Sequence, residues 1–381
     1  MVLGARVSTA RPAGQSGRFE LVDALRGLAA LAVVLPHAVG LFIFPNASWL
    51  TRFFLRLADY GRSSVEVFFV VSGFAIAYSL REAVNSGFSL GRFLVRRAAR
   101  LDPPYWVGLL LTGLVVAIRA RATHQPVMLP QPGKVLAHLF YLQDILNLGQ
   151  YNVVFWTLCL EFQLYMVFAA MMRLMSFLRG QQGESRAGTW AWADPYGWLI
   201  VAAFFVFLIV SHTVWPMRPG WFVPFFYLFL SGSLAAWRTL GRVSDGLFQL
   251  CLLAMGLALV LKPELPRVLG FLTVLVIYAA IRRDALHRWL SARWAQWLGR
   301  ISYSIYLAHV PVVTLFLGLR TRVAPDSKLL SFICLAAAYG FTLALASALY
   351  VTIEVPCLRL SQRLKRSSVL RSSRLREAPP A

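Results

Sequence analysis

The sequence predicts an all-α, polytopic integral membrane protein with about ten transmembrane helices. Hydrophobic residues make up 58% of its 381 positions, and the mean hydropathy is +0.63. Both values exceed what a water-soluble domain tolerates. The apolar residues are gathered into stretches long enough to cross the roughly 30 Å hydrocarbon core of a bilayer as helices. This grouping distinguishes a membrane-spanning chain from one with a single large soluble core.

Ten apolar stretches are predicted to span the membrane, although nine or eleven spans also fit the hydropathy pattern. They are 21–44, 63–81, 103–119, 154–178, 196–213, 221–238, 247–261, 267–282, 299–318 and 329–353. We expect one transmembrane domain over 21–356, a short cytoplasmic segment over 1–20, and a basic, disordered tail over 357–381. The apolar stretch 135–148 is too short to span and is predicted to lie at the membrane interface.

The distribution of Lys and Arg predicts the orientation. Placing both termini in the cytoplasm puts roughly twice as many of these residues inside as outside, as the positive-inside rule requires. The net charge of +22 is spread over loops and tail. Anionic lipid headgroups and membrane topology account for such a charge distribution, so we predict membrane lipid and no nucleic acid as partner.

Two polar side chains interrupt the first span. Arg26 and His37 lie eleven residues apart. In an α-helix this spacing is about three turns plus ~20°, so both side chains share one face, ~16 Å apart along the axis. A permanent cation and an imidazole are costly inside a bilayer and usually face a protein interior or a watery cavity. We therefore identify this face as a candidate catalytic face.

The second span carries a carboxylate near its outer end and two small residues at mid-membrane. Because this span returns from the outer side, Glu66 and His37 are both predicted in the outer half of the bilayer, where a carboxylate can orient an imidazole. The alternative is that Glu66 is solvated at the headgroups. Ser72 and Gly73 are predicted to let neighbouring helices approach closely.

The fourth and ninth spans supply further polar side chains. Glu161 lies in an otherwise apolar span, so it must be protonated or paired. We expect Arg26 or His37 to be its partner. The ninth span carries a polar stripe at helical spacing. The stripe consists of Ser302, Tyr303, Tyr306 and His309. For His309, the alternative to a functional role is that it is simply a core histidine that is satisfied by hydrogen bonds.

An arginine cluster precedes the third span. Its members are Arg92, Arg96, Arg97 and Arg100. Arg96 and Arg97 each lie about one helical turn before Arg100, so the cluster can bind phosphate groups through bidentate, charge-assisted hydrogen bonds. The alternative is that these arginines only determine topology. Four cysteines show no paired spacing and no His ligand set, so neither disulfides nor a metal site is predicted.

Together these motifs resemble the acyltransferase-3 family of membrane acyl-CoA-dependent O-acyltransferases, which modify sugars of cell-surface polysaccharides and some glycosides. The matching motifs are Arg26 to His37 with ten residues between them, EVFFVVSGF, Arg97-Ala98-Ala99-Arg100 before Pro103, WTLCLE, LGRISYSIYLAH, and Glu354 with Pro356. Two positions depart from the family pattern, which usually has Asp at Glu66 and often Tyr at Asp102. Asp102 could pair with Arg100 and so alter the proposed phosphate site.

The resemblance implies that His37 is the catalytic histidine and that Arg26 is essential. It also implies that Arg97 and Arg100, with Arg96 beside them, bind acyl-CoA on the cytoplasmic side. The other candidate residues are Glu66 or Glu161 to orient His37, and Ser302, Tyr303 and His309 as acceptor or oxyanion contacts. We expect a bacterial plasma-membrane enzyme that transfers an acyl group, with acetyl as first choice, to a carbohydrate or glycoside hydroxyl. The sequence is compatible with a homo-oligomer and does not decide the oligomeric state.

No bound cofactor or metal is expected for this reaction, because a thioester is already activated and acyl-CoA enters only as co-substrate. The alternative function is a proton-coupled transporter of a glycan, a glycolipid or an acyl group, in which buried histidines and carboxylates relay protons. A transporter explains the burial of these groups equally well. It does not explain the arginine cluster or the order of the motifs.

Overall fold

The computed structural model describes residues 19–42, 49–81, 89–126, 130–180, 195–213 and 220–364. All regular elements in these segments are helical, which confirms the all-α class. The main helices are α1 (Glu20–Ala32), α2 (Val34–Ala38), α3 (Trp49–Arg62), α4 (Val65–Ser79), α5 (Leu90–Ala122), α6 (Pro132–Leu139), α7 (Phe155–Gly180), α8 (Pro195–Thr213), α9 (Phe226–Thr239), α10 (Asp245–Leu261), α11 (Leu265–Arg282), α12 (Arg293–Val323) and α13 (Lys328–Leu349). A π-helical turn, Tyr350–Glu354, continues α13, and helical structure then extends to Leu364. Residues 357–364 of the tail predicted to be disordered are therefore helical, whereas the rest of that tail and residues 1–18 of the predicted cytoplasmic segment lie outside the described residues.

Each of the ten predicted spans falls on helical structure. The first span is α1 and α2 followed by a 3₁₀ turn, and the others coincide with α4, α5 and α7 to α13. Within the described segments, six stretches are long and apolar enough to cross a membrane on their own. They are Glu20–Phe42, Leu90–Ala122, Phe155–Leu178, Leu265–Arg282, Arg293–Val323 and Lys328–Leu364. With the shorter apolar helices beside them, these stretches establish a polytopic membrane architecture.

Helix α3 was not predicted from the sequence. It buries Leu50, Phe54 and Ala58, whereas Trp49 and Phe53 stay exposed. Arginines lie between its apolar residues, so the segment has no continuous apolar run long enough to span, and its hydropathy is too low to predict one. The apolar stretch 135–148 forms the end of the short helix α6 and a series of turns.

A glycine pair brings α4 and α9 into backbone contact. A Cβ added to Gly73 would collide with the carbonyl of Phe229, and one added to Gly232 would collide with the carbonyl of Val70. The hydroxyl of Ser233 then donates a hydrogen bond to the Gly73 carbonyl over 3.1 Å. The prediction that Gly73 permits close helix approach is therefore confirmed. The larger apolar core surrounds this crossing.

A second glycine pair joins α1 to α12. A Cβ on Gly27 would lie 2.5 Å from the Gly299 amide nitrogen, and one on Gly299 would collide with the Asp23 carbonyl. The two helices run in the same direction, because Arg26 contacts Gly299 while His37, further along the chain, contacts His309. This pairing places the polar residues of the first span against the polar stripe of α12.

Replacing Gly73 with alanine is expected to destabilise the protein by at least about 2 kcal/mol, because the new methyl group meets backbone that cannot rotate away. Gly113→Ala is the matched control, since no atom lies within 4 Å of its added Cβ. That variant should be neutral or slightly more stable. Melting temperatures of the purified proteins in detergent test this, and equal melting temperatures for the two variants would contradict the close α4–α9 contact.

Candidate active site

A cavity of about 100 Å³ lies where α1, α4, α5, α7 and α12 meet the π-helical turn. Its charged lining residues are Arg26, Arg97, Arg100, Glu161 and Glu354. Its hydroxyl-bearing lining residues are Ser72, Thr157, Tyr165, Ser302, Tyr303 and Tyr306. The fold thus gathers residues from widely separated parts of the chain that the sequence analysis singled out individually.

Helix α12 holds the Arg26 guanidinium at a fixed position. The Arg26 Nε donates to Ser302 Oγ over 2.9 Å, and Nη2 donates to the Gly299 carbonyl over 3.0 Å. Asp23, one turn earlier on α1, lies 3.7 Å from the same Nη2. Because Gly299 has no side chain, the guanidinium reaches its carbonyl directly. Arg26 therefore links the two helices and also faces the cavity.

Glu161 has two polar partners that the sequence did not predict. The Ser72 hydroxyl donates to its Oε1 over 3.0 Å, and Arg97 Nη2 lies 4.0 Å from the same oxygen. The expected pairing of Glu161 with Arg26 or His37 is wrong, because among the described residues its hydrogen bond comes from Ser72 of α4 and its ion pair from Arg97 of α5. Ser72 accordingly does more than permit helix packing, since it satisfies a carboxylate inside the membrane.

Arg97 and Arg100 extend from α5 into the cavity. The Arg97 guanidinium stacks on Tyr165, with Cζ 4.0 Å from the ring centroid, and its buried Nε has no hydrogen-bond partner among the described residues. Arg100 lies within electrostatic reach of Arg97, Arg26 and Glu354. In the part of the chain that the structure describes, no hydrogen bond or ion pair engages the Arg100 guanidinium. Both residues therefore keep donors available for an anionic ligand.

Neither Arg96 nor Asp102 lines the central cavity. The Arg96 Nε donates to the Arg92 carbonyl over 3.4 Å, and Arg96 lines neither the central cavity nor the two cavities beside it. Asp102 accepts a hydrogen bond from Tyr141 over 3.1 Å and makes no ion pair with Arg100 within the described segments. The orientation of α5 about its own axis explains both results. Arg97 and Arg100, three residues apart, face the cavity together, and Arg96 and Asp102 therefore point in other directions.

Glu354 is a cavity residue that the sequence analysis gave only as part of a family motif. The hydroxyl of Ser304 donates to its Oε2 over 3.0 Å, and Arg26 and Arg100 are its charged neighbours. The π-helical turn that ends at Glu354 fixes the direction of this side chain, and such turns are frequent at functional sites. A lone carboxylate at the end of the last span is the signal that could have identified it.

Two further cavities adjoin the central one. A polar cavity of about 590 Å³ shares Arg26, Arg100 and Glu354 with it and adds Arg81 and Arg300. A more apolar cavity of about 310 Å³ opens between α5, α6 and α7. It shares Arg97, Glu161 and Tyr303 with the central cavity. Each of the five charged residues of the central cavity therefore also lines one of its two neighbours.

His37 does not line the central cavity and lies next to a second histidine. The ring centroids of His37 and His309 are 5.1 Å apart. Tyr306 lines the cavity, and its ring lies 5.6 Å from the His309 ring. The Tyr306 hydroxyl donates to the Val154 carbonyl over 2.9 Å and contacts the Thr157 hydroxyl. Arg26 and His37 thus face the same helix, α12, as their spacing predicts.

Glu66 does not approach His37. Val65, Phe69 and Ser72 line the cavity, and Glu66 is rotated by about 100° from Val65 around α4. Its Cβ lies 3.7 Å from the position of a Cβ on Gly270 of α11, and its Oε2 is buried without a partner. No hydrogen bond or ion pair joins Glu66 to His37 among the described residues, so the structure gives no support to Glu66 as the group that orients His37.

The four cysteines are buried and free. Within the described ranges, no group of three His, Cys, Asp or Glu side chains is arranged to hold a metal ion.

The sequence profile of the acyltransferase-3 family, described as "Acyltransferase domain", matches residues 19–351. The chain belongs to the acyltransferase-3 family. The matched range contains both polar residues of the first span and the whole of the arginine cluster, and it stops just before Glu354. No solved structure matches the chain.

Three relatives are 28%, 29% and 36% identical to this acyltransferase-3 chain over the segments that align. Peptidoglycan O-acetyltransferase OatA of Listeria monocytogenes is 28% identical over 172 residues, which are 42% of this chain and 24% of the relative. Acyltransferase MdmB of Streptomyces mycarofaciens is 29% identical over 166 residues, 42% of this chain and 40% of the relative. Protein 2 in the picA locus of Rhizobium radiobacter is 36% identical over 95 residues, 25% of this chain and 44% of the relative. Each alignment covers less than half of the relative.

Arg97 and Glu161 are expected to stabilise the acyltransferase-3 domain jointly. Replacing either one with leucine leaves a charge unpaired inside the membrane and should cost about 1–2 kcal/mol, whereas the double variant should cost less than the sum of both. The exposed pair Arg62 and Asp59 is the control, with side chains 61% and 60% exposed, and should show little coupling. A double-mutant cycle of unfolding free energies in mixed micelles tests this, and additive costs at Arg97 and Glu161 would refute the coupling.

Proposed function

We propose that this chain is a membrane-embedded O-acyltransferase that moves an acyl group, most simply acetyl, from acyl-CoA to a hydroxyl of a sugar in a surface glycan or glycoside. One observation carries the proposal: three guanidinium groups line one cavity, and Tyr306 of the same cavity lies beside the His309 and His37 rings. The family supports acyl transfer. The choice of donor and acceptor is our proposal.

The arginines match the chemistry of the donor. Coenzyme A carries several phosphate groups, and arginine binds phosphate with two parallel charge-assisted hydrogen bonds. Arg97 and Arg100 supply donors at the junction of the cavities, and Arg81 and Arg300 line the larger polar cavity beside them. That cavity, at about 590 Å³, is of the size that cofactor-sized ligands occupy. We place the nucleotide there and the thioester arm in the narrower central cavity.

The reaction needs one base and no further cofactor. The oxygen of a sugar hydroxyl attacks the thioester carbonyl carbon while His37 accepts the hydroxyl proton. The carbon–sulfur bond then breaks, the proton passes to the sulfur, and coenzyme A leaves as the free thiol. Arg26 or a hydroxyl group of α12 would stabilise the negative charge that develops on the carbonyl oxygen. The result is an ester on the sugar.

The donor has to travel a short distance through the protein to reach the base. Ser302 and His309 are seven residues apart on α12, which is about 10 Å along the helix axis. Tyr306 and Phe68 both line the cavity, with ring centroids 5.8 Å apart, and Tyr306 also lies beside His309. We place the path of the thioester past Tyr306, so that the acceptor hydroxyl meets it at His37.

The names of the relatives support the same acceptor chemistry. One relative is called a peptidoglycan O-acetyltransferase, and peptidoglycan is a sugar polymer with hydroxyl groups. A second is called simply an acyltransferase. We propose a bacterial plasma-membrane location with both termini in the cytoplasm, where acyl-CoA is made, so that the arginines face the donor's compartment.

His37→Ala is expected to lower the rate of acyl transfer by 10²–10⁴-fold, because a positioned general base typically contributes that much. Binding of acyl-CoA should persist, since His37 does not line the central cavity. His212→Ala is the control, because that histidine lies on α8, away from the cavities. The assay measures labelled ester formed from radiolabelled acetyl-CoA and candidate sugar acceptors. Undiminished product from well-folded His37→Ala would refute the base assignment.

Arg97→Ala is expected to raise the KM for acyl-CoA by about tenfold or more, which corresponds to about 1.4 kcal/mol of lost binding. The KM for the acceptor should change little. Arg92→Ala is the matched control on the same helix, because Arg92 is exposed and lines none of the three cavities. A change in acceptor KM alone, with acyl-CoA dependence untouched, would refute the phosphate-binding role.

A further inference from the structure

His309 has a fixed tautomer. Its side chain is 0% exposed, and its Nδ1 lies 3.1 Å from the carbonyl oxygen of Ile305, one turn earlier on α12. A carbonyl oxygen only accepts hydrogen bonds, so Nδ1 must carry the hydrogen and donate it. In the neutral ring, Nε2 then carries a lone pair and can only accept. The orientation of His309 is thus fixed by its own helix.

The Nε2 atom of His309 is buried and has no hydrogen-bond partner within the described segments. A buried acceptor without a donor is costly, so its surroundings should supply one. Tyr306 is adjacent, but its hydroxyl is already engaged with the Val154 carbonyl and Thr157. The His37 ring, at 5.1 Å between centroids, is the remaining polar ring in contact. At this separation, two imidazoles can bring ring nitrogens within hydrogen-bond distance.

We infer that His309 is a positioning residue for His37, an inference that rests on the proposed acyl transfer. The His309 Nε2 accepts an N–H from His37 and so decides which nitrogen of His37 carries the hydrogen. The other nitrogen of His37 then presents its lone pair to the acceptor hydroxyl. A rotation of the partly exposed His37 ring forms this bond, since the last torsion of a histidine side chain is broad.

In the proposed His37–His309 pair, the protonation state of His309 does not change during the reaction. When His37 takes the proton from the sugar hydroxyl, it becomes an imidazolium, and its N–H to His309 becomes a stronger, charge-assisted hydrogen bond. The Nδ1 of His309 continues to donate to Ile305, so His309 neither gains nor loses a proton. A neutral partner orients the base without placing a second charge in the membrane. This differs from the carboxylate expected from the sequence, because Glu66 faces α11.

The kinetic test compares His309→Phe with His309→Gln. Phenylalanine keeps most of the ring volume but has no acceptor, whereas glutamine places an amide group near the position of Nε2. We expect His309→Phe to lower kcat for acyl transfer by about 10–100-fold, the usual cost of losing a group that orients a functional histidine. The KM for acyl-CoA should stay within about twofold, and His309→Gln should recover part of kcat.

His212→Phe is the matched control, because His212 Nδ1 also contacts a carbonyl one turn earlier, that of Leu208, at 2.8 Å. It should retain full activity. Activity of His309→Phe equal to wild type, or no recovery in His309→Gln, would overturn the inference. So would full loss in the His309 variants together with activity in His37→Ala, since His309 would then be the base itself.

A second measurement separates this inference from the proposed function. Nitrogen NMR of protein labelled in the histidine rings, in lipid nanodiscs, reports the tautomer and hydrogen bonding of each nitrogen. We expect the His309 Nε2 signal to be that of a hydrogen-bonded acceptor and to shift in His37→Ala. If the wild-type protein does not use acyl-CoA, the proposed function fails, but the His309 Nε2 signal still tests the hydrogen bond between His37 and His309. A His309 signal that is identical with and without His37 would overturn the inference.

Discussion

The contact between Gly27 and Gly299 determines the geometry of the whole site. Since neither residue has a Cβ, α1 and α12 touch backbone to backbone, and Arg26 is brought within 3.0 Å of the Gly299 carbonyl. The same parallel packing then carries His37 to His309, about three helical turns further along. A wider spacing of the two helices would remove both contacts together. Arg26 and His37 therefore depend on one helix crossing, although they differ in chemistry.

The central cavity holds more positive than negative charge, with three arginines and two glutamates in its lining. Such a balance is costly inside a membrane, and the neighbouring groups offset only part of it. Ser72 and Ser304 hydrogen-bond the two carboxylates, and Tyr165 stacks on Arg97. The remaining excess of guanidinium donors is what a ligand with several phosphate groups would neutralise. This balance suits the phosphate-bearing donor that we propose, whereas a proton relay alone gives no reason for three arginines.

The sequence alone was sufficient for features that depend on one helix at a time. Hydropathy located the helices because each span is a continuous apolar run, and the eleven-residue spacing placed Arg26 and His37 on one face because helical geometry is fixed. Gly73 was correctly predicted as a site of close helix approach. Helix α3 escaped prediction because arginines lie between its apolar residues.

Partnerships between helices could not be predicted in the same way. Glu161 pairs with Ser72 and Arg97, and Glu66 faces α11, because each depends on how a helix is rotated against neighbours that are remote in sequence. A carboxylate in an apolar span signals that a partner exists but does not identify it. Glu354 illustrates the same limit, since only the fold shows that the end of the last span closes the cavity beside Arg100.

The central claim is that the cavity accepts acyl-CoA and that its acyl group leaves on a sugar hydroxyl. The most direct measurement uses wild-type protein in lipid vesicles, with radiolabelled acetyl-CoA supplied on one side of the membrane and a set of sugar acceptors present. The account predicts saturable binding of acetyl-CoA and a labelled sugar ester that forms only when acetyl-CoA reaches the face carrying Arg97 and Arg100. Well-folded protein that neither binds acetyl-CoA nor forms an ester from either side would contradict it.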